Sequence, residues 1–379
     1  MPSLPHEPIR RPTYPLAHSF RRKPRRVPLV LRLAHGSIHS IVILPVLLHS
    51  LFTVLVVYLD RNVDGSLGLP STIIPSLSIV VGLMLVFRNS TSYDRFWTGR
   101  NCLTTISTSV RNLSRIILIN ASKGLGLSKA EQAETEKIIR VLLAILYAIK
   151  HNLRAEFNIP PASIANDQPP SPDSPSSPTL QTPRRPITTL SRRNSLAEEH
   201  GIYTASTDYT SLLPPNLLGY EDRGLSLPLQ LTLLVERYIH LSHNAKSWVH
   251  APLASQMTVQ LNSLVDAYGR METIRSTPLP IAHLIHQKQV LALFTCFLPF
   301  TIVDDYGWYA VPIVAIIAFT LYGIDGIGGE LEDPFGYDRN DIKMDGIVED
   351  ARREVMVLLE EWRDCAEGRG NGAVGGMFE

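Results

Sequence analysis

The sequence predicts an all-α membrane protein with four transmembrane helices and a helical cytosolic domain. Apolar residues make up 45% of its 379 residues, and they are concentrated in blocks. Two blocks, 38–59 and 67–87, contain no Asp, Glu, Lys or Arg. Each is long enough to cross a bilayer as a helix, which takes about 20 apolar residues. Two shorter apolar blocks, 290–303 and 307–324, flank an acidic pair late in the chain and predict a second pair of spans.

Residues 1–32 are predicted to form a basic N-terminal arm. They contain eight Lys or Arg residues against the single acid Glu7, together with seven prolines. The prolines argue against the amphipathic helix of a transit peptide, whereas an excess of Lys and Arg is typical of the cytosolic side of a membrane protein. We therefore expect a cytosolic arm on a multi-pass protein of the plasma membrane, with an organelle membrane as the alternative.

The region 33–158 is predicted to hold the first two transmembrane helices and the first cytosolic helices. The second span runs from block 67–87 into the polar, aromatic stretch 88–100 without an intervening Pro or Gly, so one helix should leave the membrane and continue into water. A capping box at Ser128 and Glu131 predicts the start of a further helix. That helix contains the apolar run 141–149, which is too short to span and is assigned to a helical core outside the membrane.

The remaining boundaries follow from composition. Residues 159–221 are crowded with Pro, Ser and Thr and are predicted to be a disordered insert, because such a segment buries too little apolar surface to offset its ordering entropy. Cytosolic helices follow at 222–287. The transmembrane pair is placed at 288–325, with Asp304 and Asp305 in the turn between its helices. An acidic loop, a C-terminal helix and a tail make up 326–379.

One face of the second span has the pattern of a pore lining. Ile79, Leu83 and Phe87 recur every four residues and therefore share one face of the helix. Periodicity by itself favours a stripe packed against a neighbouring helix. Several copies arranged around an axis would instead form stacked apolar rings, and hydrophobic constrictions of that kind gate channels by dewetting.

Composition and spacing exclude other classes of function. The formal net charge of +1 provides no field for nucleic-acid binding. The three cysteines, Cys102, Cys296 and Cys365, fit neither a metal site nor a disulfide framework. No nucleophile with a base, metal set or convergent carboxylate pair stands at a recognisable spacing, so we do not expect an enzyme, and we expect no required cofactor.

Two motifs carry a family resemblance. The first lies at the membrane exit and consists of Arg88, Asn89, Tyr93, Asp94, Arg95, Trp97 and Arg100. The second is the acidic block 332–341. In this order they resemble the two hallmarks of the bestrophin family in its bacterial and fungal branch. The resemblance covers roughly residues 20–158 and 222–365 and omits the insert.

The resemblance implies a homopentameric channel that conducts chloride or other small anions passively across the lipid bilayer. It places three apolar rings of the neck at Ile79, Leu83 and Phe87. Leu83 replaces the aromatic residue of the animal branch, so gating and selectivity can differ. Two alternatives stay open, namely a cation (Na⁺) channel of the same fold and a membrane scaffold or regulator that does not conduct.

A calcium site is a further candidate. Asp333, Asp338 and Asp341 are hard carboxylates closely spaced on a loop, and such groups bind Ca²⁺. In animal bestrophins the matching block is a Ca²⁺ clasp. This chain interrupts the acidic run with Tyr337, Arg339 and Asn340, as the bacterial branch does, and that branch is not associated with the clasp. The alternative is a capped loop paired with nearby arginines such as Arg95 or Arg100.

Overall fold

The computed structural model describes residues 38–63, 67–122, 128–155, 211–214, 217, 219–220, 223–244 and 249–366. The predicted basic arm lies outside the described residues, and so does most of the predicted insert. In chain order the helices of the described part are α1 (His39–Val63), α2 (Ile73–Ser122), α3 (Lys129–Leu153), α4 (Leu227–Asn244), α5 (Ala251–Ser276), α6 (Ile281–Tyr306), α7 (Ala310–Glu332) and α8 (Met344–Ala366), with a 3₁₀ turn at Gly307–Tyr309 between α6 and α7.

Three helical stretches of the described residues are long and apolar enough to cross a membrane. They are His39–Asn62, Ile74–Ala121 and Ile281–Glu332. The third contains both α6 and α7, joined by the 3₁₀ turn. The prediction that the second span continues as one helix past the membrane exit agrees with α2, a single helix of 50 residues.

The chain divides into two compact units, and the first comprises residues 1–108 and 266–350. Its described core joins the first half of α2 to α6, where Val81 and Leu85 pack with Leu291 and Phe294. These four side chains are buried, so this apolar face of α2 packs against α6 of the same chain.

Two boundaries differ from the sequence prediction. Helix α7 continues to Glu332, so the acidic loop begins after that residue and not at 326. The glycines in this part of the helix make room for packing, since a Cβ on Gly328 would lie 3.3 Å from Arg88 Nε. Asp304 and Asp305 lie in the last turn of α6 and not in a loop. The chain reverses direction at Gly307, the first residue after α6, whose φ of +52° favours glycine.

The second unit comprises residues 109–265 and 351–379. The predicted capping box is present at the start of α3, where Ser128 Oγ accepts from the Glu131 backbone N–H at 3.3 Å and Glu131 Oε2 accepts from the Ser128 N–H at 3.0 Å. The run 141–149 of α3 is buried throughout, as expected of a helical core. Beside it, Thr135 and Tyr238 share a hydrogen bond of 2.9 Å, and burial raises the pKa of Tyr238 to about 12.

Candidate ion pathway

The predicted neck residues form an exposed stripe on α2. Ile79, Leu83 and Phe87 are 70%, 69% and 61% exposed, whereas Val81 and Leu85 on the other side of the helix are 3% exposed. Among the described residues, most of this stripe is therefore not packed against a neighbouring helix. It is an apolar face of a membrane helix that can contact lipid, water or another copy of the chain.

Arg88 follows the stripe directly and points the opposite way. It is 5% exposed and forms an ion pair with Asp325 of α7. Gln287 of α6 donates to the same carboxylate oxygen, with 3.4 Å between Nε2 and Oδ1. A charged side chain at this depth of a membrane helix needs a partner. The partner of Arg88 lies 237 positions later in the sequence.

Sequence reasoning missed these partners. Asp325 stands immediately after the charge-free block 307–324, and an acid at the end of an apolar helix is itself a signal that a cation is near. Nothing in the sequence around Gln287 and His283 of α6 indicates that they lie beside Arg88 and Phe87. The His283 ring contacts the Phe87 ring edge-on, with the centroids 5.9 Å apart.

Arg95 binds the ends of two helices. Its Nη1 and Nη2 donate to the carbonyls of Thr277 and Ile274 at 2.8 and 2.6 Å, at the C-terminal end of α5. Its Nε donates to the carbonyl of Glu332 at 3.0 Å, at the C-terminal end of α7. The last carbonyls of a helix lack partners within the helix and carry the negative end of its dipole, so a guanidinium satisfies both needs.

A nearby arginine pairs with the acidic loop, as the alternative to calcium binding predicts. The three hydrogen bonds described for Arg95 end on backbone carbonyls, and Arg100 Nη1 donates to Thr104 Oγ1 at 2.6 Å. Arg275, at the C-terminal end of α5, binds an acid of the loop, since its Nη1 lies 2.6 Å from Asp333 Oδ2. Sequence analysis did not single out this arginine.

The two motifs meet at Gly99. A Cβ at this position would lie 2.8 Å from Phe335 Cζ, and Phe335 is 1% exposed. The absence of a side chain on α2 is therefore what allows the acidic block to pack against it. The other motif residues face outward or lie at the edge: Tyr93 and Trp97 are 55% and 53% exposed, Asp94 is exposed and Asn89 is half-buried.

The three aspartates of the calcium prediction are held in different ways. Asp333 is exposed and paired with Arg275. Asp341 is 6% exposed and folds back into the loop, where its Oδ2 accepts from the Asp338 backbone N–H at 2.7 Å. Within the described residues, no group of three or more His, Cys, Asp and Glu side chains is arranged to hold a metal ion. Calcium binding at these residues stays a prediction.

The buried carboxyl of Asp341 gives a testable pH dependence. Burial raises its pKa, against the opposing effect of the Asp338 N–H. The folded chain then binds this proton more tightly than the unfolded chain does. The contribution of Asp341 to the free energy of unfolding therefore falls as pH rises from the ordinary carboxyl pKa of about 4. Asp341→Asn keeps an acceptor but has no proton to lose. We expect wild type to lose thermal stability relative to this variant as pH rises from about 4 towards neutrality.

Asp94→Asn is the matched control, since Asp94 is an exposed carboxylate of the same unit. Thermal unfolding of wild type and both variants across that pH range measures the effect. A wild type that gained stability over Asp341→Asn with rising pH would contradict the sign. It would indicate that a cation stabilises the ionised carboxylate, as bound Ca²⁺ would.

Comparison with known proteins decides the family. The model of the family described as Bacterial/Fungal Bestrophin protein matches residues 18–357, which is most of the chain. The chain belongs to the bestrophin family. The resemblance read from the two motifs is thereby confirmed, and bestrophin membership makes this an integral membrane protein of the bacterial and fungal branch.

Relatives of this bestrophin align with it along most of their length. A voltage-dependent anion channel-forming protein of Nostoc is 32% identical over 321 residues, covering 84% of this chain and 87% of the relative. One of Synechocystis is 29% identical over 355 residues, covering 93% and 98%. The crystal structure of a mutant bacterial bestrophin homologue from Klebsiella pneumoniae matches with a TM-score of 0.64 at 22% identity, covering 84% of this chain and 98% of that one. This likeness confirms the all-α fold.

Proposed function

We propose that this bestrophin is a passive, anion-selective channel, conducting chloride or similar small anions, and not an enzyme. The observation that carries the proposal is the stripe of Ile79, Leu83 and Phe87, which is exposed on a membrane helix whose other face is buried. The anion preference is supported by the relatives, which are named voltage-dependent anion channel-forming proteins.

The proposed channel is a homopentamer with four crossings in each subunit. The crossings are α1, the first half of α2, α6 and α7, because the third apolar stretch contains two helices joined by a short turn. A single stripe encloses nothing. Five copies around an axis turn each of its residues into a ring, and stacked apolar rings form a constriction that ions pass only when it is hydrated.

In this proposal the C-terminal ends of α5 and α7 face the cytosol, and the plasma membrane is the proposed location. The lipid bilayer is the medium of the exposed face of α1, where Leu44, Leu47 and Leu51 are 64%, 61% and 69% exposed. Exposed leucines of this density on one helix are typical of a lipid-facing surface.

The test is the reversal potential of purified protein in planar bilayers under a KCl gradient. We expect current that reverses near the chloride equilibrium potential. A reversal near the potassium potential would replace the anion channel by the cation channel of the same fold. Folded oligomers that carry no current, with or without added Ca²⁺, would favour the scaffold. Current that appears only with Ca²⁺ would support the calcium prediction at Asp333, Asp338 and Asp341.

A further inference from the structure

We infer that the Arg88–Asp325 ion pair is a positioning element of the neck. It fixes the rotation of α2 about its own axis and keeps the charge of Arg88 out of the ion pathway. This inference rests on the proposed function, because it assigns a role to these residues in the conduction through the neck.

Helix geometry places Arg88 opposite the neck stripe. Successive residues of an α-helix are turned by about 100° and raised by about 1.5 Å. Arg88 therefore lies at nearly the depth of Phe87, the last ring of the stripe, and on the opposite side of the helix from Ile79. Their exposures agree with this, at 5% for Arg88 against 61% for Phe87 and 70% for Ile79. A link made by Arg88 thus sets the direction in which the stripe points.

Arg88 links α2 to two other helices. Its guanidinium pairs with Asp325 of α7, and Gln287 of α6 donates to the same carboxylate. Asp325 and Gln287 are 8% and 2% exposed, so the network joins three helices inside the bundle. Gly328 and Gly329 leave room for the guanidinium, since a Cβ at either position would lie within 3.3–3.5 Å of it.

The network around Arg88 is better suited to positioning α2 than to stabilising the fold. Arg88 Nε and Gln287 Oε1 are buried and lack a hydrogen-bond partner among the described residues. A buried polar network that is only partly satisfied is a poor source of stability, and buried ion pairs often stabilise less than apolar residues of similar volume would. Such a network can still specify one arrangement of helices over others, and here the arrangement it specifies is the direction of the neck stripe.

The consequence of breaking the pair follows from the cost of a bare charge in the membrane. After Asp325→Asn, Arg88 is a buried cation without a counter-ion, and the nearest hydrated space is the pore. Turning α2 or re-orienting the side chain towards the pore lowers that cost. Turning α2 changes the exposure of Leu83, and either movement brings positive charge to the neck, where it alters the reaction of a charged reagent.

The experiment measures the exposure of position 83 directly. In a background without the three native cysteines, Leu83→Cys is labelled by a charged methanethiosulfonate reagent, and the rate is followed by mass spectrometry and by the current in bilayers. The rate is compared in Asp325→Asn, in Arg88→Gln and in the double exchange Arg88→Asp with Asp325→Arg. Leu233→Cys on α4, which is 63% exposed and lies outside the three candidate spans, is the control, because its thiol meets water.

We expect each single change to alter the labelling rate at position 83 by about tenfold, in line with the coupling typical of side chains in direct contact. The double exchange should restore most of the rate, and labelling at position 233 should be unaffected. Assembled single variants with an unaltered rate at position 83 would overturn the inference. So would an assembled double exchange that restores nothing.

Two safeguards keep the outcomes distinct. If Arg88→Gln or Asp325→Asn does not assemble, Arg88→Lys, which keeps the charge but not the planar fork, decides in the same assay: an altered rate supports positioning and an unaltered rate overturns it. If wild type carries no current, the proposed function fails, while mass spectrometry still reports whether the pair sets the exposure of position 83.

Discussion

Replacing Ile79, Leu83 and Phe87 together by alanine should raise the current through the channel at a fixed voltage by at least about tenfold, which corresponds to lowering the barrier by about 1.4 kcal/mol. In the proposed neck, three large apolar side chains would resist hydration, and alanine would widen each ring and weaken its dewetting. The three positions are 61–70% exposed within the chain, so the change should not disturb the core of the subunit. Conductance in planar bilayers measures it.

The matched control is Leu44, Leu47 and Leu51 changed together to alanine on α1, where three apolar side chains are 61–69% exposed. This control removes a similar amount of exposed apolar surface from another membrane helix and should leave the current near the wild-type value. Equal effects of the two triple variants would indicate that any loss of membrane-exposed apolar surface perturbs the protein. No effect of the α2 variant in assembled oligomers would remove these residues from the neck.

The helices of this fold could be predicted because their signals are local. A capping box at Ser128 and Glu131 is four residues long and acts where it stands. The stripe of Ile79, Leu83 and Phe87 is set by the helical repeat alone, and the structure leaves that stripe exposed. The proposed role of the stripe as a pore lining does not follow from periodicity, because it requires several copies of the chain around an axis and the helical repeat carries no information on assembly.

The partners of the motif arginines could not be predicted, because they are not local. Arg88 pairs with a carboxylate 237 residues away, and Arg95 donates to carbonyls, which every residue has and no sequence pattern marks. The continuation of α7 through Gly326, Gly328 and Gly329 was also missed. Glycine lowers helix propensity, but here close packing against Ile38 and Arg88 outweighs that preference.

Arg95→Gln should destabilise the folded oligomer by about 2–4 kcal/mol, since hydrogen bonds from a charged donor contribute about 1.5–3 kcal/mol each and part of that is recovered by water. Three carbonyls at the ends of α5 and α7 lose their donor. The C-terminal dipoles of both helices also lose a cation that they favour. The side chain is not fully buried, which is why the expected loss is smaller than the sum of three such bonds.

Thermal unfolding of the purified oligomer measures this loss, with Arg115→Gln as the control, because Arg115 is an exposed arginine on the same helix. The control should unfold near the wild-type temperature. Arg95→Lys should fall between the two, because an ammonium keeps the charge at the helix ends but cannot reach three carbonyls in the plane of a guanidinium. If Arg95→Lys and Arg95→Gln were equally destabilised, the geometry of the fork would matter and the charge would not. If Arg95→Gln unfolded at the same temperature as wild type, Arg95 would not hold the two helix ends together.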